Sequence, residues 1–90
     1  MSDYDELLRL EHLCKQEAGK IAAWLDRHVE CIEPVECMQR AHEKLRVRME
    51  FRTRRAKESL ALQAMKVGDD FLRRAVARFF LQHGLERHLQ

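Results

Sequence analysis

"VECMQRAHEKLRVRMEFRTRRAKESLALQAMKV", residues 35–67, contains neither glycine nor proline. Whether it folds as one rod or two decides the architecture of the chain. Val35, Met38, His42, Leu45, Met49, Ala56, Leu60 and Val67 recur at helical spacing and share one side of a wheel. Val47, Phe51 and Met65 form a second, shorter stripe on another side. With no breaker inside it, the stretch predicts a single helix of about 33 residues, roughly 50 Å long at 1.5 Å per residue. A helix with two apolar faces calls for two neighbours.

Working outward toward the N-terminus, Glu33-Pro34 is a corner. A residue before proline is pushed out of helical geometry, and proline suits the first turn of the next helix. Ahead of the corner, Ser2 is placed to cap a helix whose first turn carries Asp3, Asp5 and Glu6, the charge sign favoured there. Leu7, Leu10, Cys14, Ala18, Ile21, Leu25, His28 and Ile32 then line one face with Tyr4, Ala22 and Val29, flanked by Leu13 and Trp24. Gly19, inside this helix, reads as a point of close packing, since glycine there costs about 1 kcal/mol against alanine. Toward the C-terminus, Gly68 reads as a helix terminator and Asp69 as the cap of a third helix. Phe71, Leu72, Ala75, Val76, Phe79 and Phe80 give that helix a broad apolar face.

The expected fold is therefore all-α and of helical-bundle type: one domain over residues 1–90 with helices at about 2–31, 34–67 and 69–83. The first two form a long antiparallel hairpin and the third is short. A short helix leaves apolar surface on two long ones uncovered, so a second copy, making a homodimer, or another partner is expected to complete the bundle.

Composition agrees with this class. The chain has 90 residues, 46% apolar and 36% charged, with one Pro and three Gly. That is near the lower limit for a domain that folds alone. No apolar run reaches the roughly 18 residues a membrane span needs. The acidic start "MSDYDELL" does not read as a signal peptide, and three cysteines, an odd count, fit a reducing compartment. The cytoplasm is the expected location. Net charge is +2, but residues 1–43 carry five Lys/Arg against ten Asp/Glu, whereas residues 44–90 carry twelve against five. An acidic half faces a basic one.

Around the corner, "HVECIEPVECMQRAH" (28–42) offers His28, Cys31, Cys37 and His42, the right atoms for tetrahedral zinc. The spacing is not a common finger spacing, and on one helix Cys37 and His42 point about 140° apart. Two core cysteines and two histidines near a corner is the simpler reading, so neither a metal nor any other cofactor is expected. Nor is an enzyme. Cys14 lies mid-stripe, where burial keeps a thiol inert, Ser59 has no base beside it, and no Gly-rich loop could cradle an anion.

The basic run "KLRVRMEFRTRRAK" (44–57) carries the most functional content. It sets Lys44, Arg48, Arg52 and Arg55 in one sector beside the main apolar stripe. Such a sector can track a nucleic-acid backbone, or it can be neutralised by Glu11, Glu17 and Asp26 of the acidic first helix. The third helix, with Arg73, Arg74 and Arg78 opposite its phenylalanines, reads as a helix docked on a core rather than on a membrane. The function expected is a non-enzymatic interaction module, an adaptor, chaperone or regulator. It would bind an acidic protein through Val47, Phe51, Met65, Phe79 and Phe80, with the arginines steering. The alternative is a small dimeric nucleic-acid-binding regulator using Lys44, Arg48, Arg52 and Arg55.

Overall fold

The computed structural model describes residues 2–27 and 33–82, apart from the side chains at 26 and 34. Three helices, α1 (Asp3–Arg27), α2 (Pro34–Thr53) and α3 (Glu58–Gln82), account for nearly all of them, and the described residues contain no strand. The all-α bundle is as expected. The helix boundaries at 34–67 and 69–83 are not: the long second rod is divided at residues 54–57, and its second half belongs to a 25-residue α3.

The division has a physical cause. From Arg52 to Arg55 no position is apolar, so a continuous helix would have only Arg52 and Thr53 to set on the buried row between Met49 and Ala56. Thr53 turns its hydroxyl back onto the Met49 carbonyl at 2.7 Å, a local bond that competes with helix propagation. The Ala56 N–H then closes on the Thr53 carbonyl at 2.9 Å. Lys57 starts α3 by accepting the N–H groups of Leu60 and Ala61. Lys57 Nζ also reaches both carboxylate oxygens of Asp3, at 2.9 and 3.0 Å, tying the turn to the start of α1.

The other two starts follow the sequence. Ser2 Oγ accepts the Asp5 N–H at 3.2 Å and donates to the Asp5 carboxylate at 3.0 Å. Glu33 is extended (φ −63°, ψ 153°), Pro34 opens α2, and the Glu33 carbonyl accepts the Cys37 N–H at 2.9 Å. The expected end of the first helix and of the third, with His28, Val29, Cys31, Ile32 and residue 83, lies outside the described residues.

With the turn in place the topology is up-down-up. α1 and α3 run parallel: Leu10 packs with Leu60 and Ala64 at one end, and Leu25 with Val76, Phe79 and Phe80 at the other. α2 runs antiparallel to both, placing Ala41, Leu45 and Met49 among Cys14, Ala18, Ile21 and Leu72. The result is a rod of 51 × 18 × 18 Å. Buried positions repeat every four residues: Cys37, Ala41, Leu45, Met49 on α2, and Leu60, Ala64, Gly68, Leu72, Val76, Phe80 on α3. Four residues overshoot one turn by about 40°, so these stripes wind around their helices instead of following one wheel angle. Val35 and Tyr4, expected in the stripes, are accordingly both 68% exposed.

Neither Gly19 nor Gly68 plays the role expected of it. Gly68 does not end a helix; it is buried in mid-α3, and Asp69 beside it caps nothing. A Cβ at Gly68 would overlap Cys14 Sγ and stand 2.9 Å from Leu45 Cδ2. Here the lack of a side chain lets α1, α2 and α3 approach. Around a Cβ at Gly19 there is nothing within 4 Å. Gly19→Ala should therefore gain the helix-propensity difference, up to about 1 kcal/mol. Urea denaturation checks this, and a loss of stability would show that the position is packed after all.

Candidate functional site: an arginine-lined groove beside the turn

Glu17 organises the basic face. It is 1% exposed, a buried carboxylate that needs counter-charge. Arg48 supplies it across the α1–α2 interface at 2.7 Å, Arg52 at 3.1 Å and Lys20 at 3.4 Å. Burial pushes the Glu17 carboxyl upward, but the Arg48 hydrogen bond and the charges of Arg52 and Lys20 outweigh it and hold the group below the usual range. Of the three acids expected to answer the basic sector, Glu17 does so. Arg48 and Arg52 remain 48% and 43% exposed, so each presents one side to Glu17 and another to water.

The other members of the sector differ. Lys44 lies over the Trp24 ring, its Nζ 4.4 Å from the centroid. Arg55 sits in the turn and makes no ion pair among the described residues. Lys44, Arg48, Arg52 and Arg55 therefore do not act as one uniform cationic track: two are pinned by a buried acid, one by an indole, and one projects at the end of the helix.

Beside the turn, Arg9, Leu13, Phe51, Arg52, Arg54 and Arg55 line an open groove of about 500 Å³. Phe51 is 72% exposed, and the Arg54 guanidinium lies 5.2 Å from its ring centroid. Arg9 pairs with Glu6 at 2.7 and 3.1 Å, and its hydrogen bond holds Glu6 below the usual carboxylate range. Arg52, Arg54 and Arg55 crowd the C-terminus of α2, where the helix dipole favours positive charge. The groove owes its existence to the turn, which no glycine or proline marks.

Of the expected partner-binding residues, Val47 (58% exposed) and Phe51 do lie at the surface. Met65 does not join them. It is half-buried on α3 and lines the opposite side, a groove with Gln39, His42, Glu43, Arg46 and Asp69. Phe79 and Phe80 are a correction. They are 7% and 4% exposed, edge to face at 5.2 Å, and belong to the core with Leu25, Cys37 and Val76. The winding stripe of α3 turns both rings inward.

The zinc candidates divide in the same way. His28 and Cys31 lie outside the described residues. Cys37 is buried, and burial raises its thiol pKa. His42 pairs through Nδ1 with Asp69 of α3 at 2.6 Å. Among the described residues no three potential ligands converge. Cys14 is fully buried, and burial pushes its thiol up to about 11, which favours the protonated form at neutral pH. No helix among the described residues is long and apolar enough to cross a membrane. No family model, curated protein or solved structure matches the chain.

Proposed function

We propose that the chain is a small non-enzymatic interaction module, an adaptor, chaperone or regulator, that binds another protein through the outer face of α2. The observation that carries this reading is Phe51, a large ring 72% exposed amid arginines. An aromatic ring beside arginines is the composition enriched at binding hot spots. The unpaired, buried thiols of Cys14 and Cys37 are in keeping with a reducing cytoplasm.

The partner we propose is a different protein rather than a second copy. The case for a homodimer rested on one short helix failing to cover two long ones. With helices of 25, 20 and 25 residues that mismatch is gone. The nucleic-acid alternative is less well supported, because Arg48 and Arg52 would have to serve phosphates while held by Glu17.

The test is affinity capture from native lysate with wild type and Phe51→Asp. The substitution is at an exposed site and should leave the helical signal unchanged while reducing the captured protein at least about tenfold. Unchanged capture would sink the reading. So would a gel shift with oligonucleotide that is lost in Lys44→Glu with Arg55→Glu, a pair chosen because neither residue supports Glu17.

A further inference from the structure

Resting on that reading, we infer that the groove beside the turn selects an acidic segment of the partner bearing one apolar anchor. The anchor would sit against Leu13 and Phe51, and flanking carboxylates would meet Arg54 and Arg55. Charge complementarity carries the choice of occupant. Four arginines line the groove, and among the described residues carboxylates answer only two of them: Glu6 holds Arg9 and Glu17 holds Arg52. Arg55 has no acidic partner among the described residues, and Arg54 rests on the Phe51 ring. Guanidinium forks pair with carboxylates in a planar, two-bonded manner.

Two of the six lining side chains, Leu13 and Phe51, are apolar, so charge alone does not satisfy the site. Phe51 and the half-buried Leu13 present hydrocarbon that an anchor side chain would cover. An extended nucleic-acid backbone is a poorer fit. It needs a row of available cations, whereas the row along α2 is engaged at Lys44, Arg48 and Arg52. Arg9 and Arg52 stay partly exposed while paired (56% and 43%).

Panning a phage-displayed library of random peptides on the full chain, alongside an oligothymidylate binding measurement, tests this. The expected enrichment is for peptides with one aromatic or aliphatic residue between aspartates or glutamates. A synthetic copy of the enriched peptide should bind about tenfold more weakly to Arg54→Glu with Arg55→Glu, and more weakly with rising salt. Circular dichroism establishes that the variant is folded. Enrichment of neutral apolar peptides that still require Phe51 would overturn the acidic selectivity yet leave the interaction reading standing. Binding of oligothymidylate with no peptide enrichment would overturn both, and no binding of any probe would overturn the inference.

Discussion

Gly68→Val should cost about 3 kcal/mol, a large share of the roughly 5–10 kcal/mol a domain of this size holds. The added Cβ would fall on Cys14 Sγ and press on Leu45 Cδ2, with the two methyl groups beyond it still to be placed. Both neighbours are fully buried, so neither side chain can swing into water. Gly68→Ala is milder: an overpacking cost of about 1–3 kcal/mol offset by the alanine helix preference of about 1 kcal/mol. A double-mutant cycle with Cys14→Ala isolates the contact, because removing Sγ leaves the Cys14 Cβ at an ordinary 3.6 Å. Urea denaturation of the four proteins should show coupling, with Gly68→Ala tolerated better once the sulfur is gone. Strict additivity would place the strain elsewhere.

Glu17→Ala should cost about 2 kcal/mol. Breaking a fully buried ion pair costs roughly 3–5 kcal/mol, but Arg48 and Arg52 are about half exposed and can rehydrate, which lowers the figure. Glu17→Leu, which fills the same space with hydrocarbon, should be much nearer neutral. The pH dependence has a definite sign. Glu17 is held below its usual pKa when folded, so its contribution is complete above the unfolded value near 4.3 and is lost as the pH falls through the lower, folded value. Wild type should therefore lose stability between pH 5 and strongly acid solution, and Glu17→Leu should show a shallower slope over that range. Parallel slopes in urea melts would mean the carboxylate is not stabilised by its arginines.

The caps of α1 and α2 and most of the α1 stripe could be read from the sequence, because Ser2, the early acids and Glu33-Pro34 act locally. The division of the second rod could not be read from glycine or proline, since the turn at 54–57 uses neither. Its signal was the polar run from Arg52 to Arg55, which a search for breakers passes over. The four-residue winding hid Ala41 behind His42 and put Val35 in the stripe in place of Cys37, which was read as a core cysteine on other grounds, because a fixed wheel angle drifts off a row that advances about 40° each step. Glu17 was named only as one of three acids; that it is the buried one follows from helix packing, which no local pattern encodes. Phe79 and Phe80 were misread for the same reason.

The start of α1 sits at the turn end of the rod, where Lys57 grips Asp3, whereas α3 finishes at the far end of its 51 Å length. A fluorophore or purification handle fused ahead of Asp3 would thus emerge beside Arg9 and compete sterically for the arginine groove. The same group fused beyond α3 would stand clear of it, so labels for binding work belong on the trailing side.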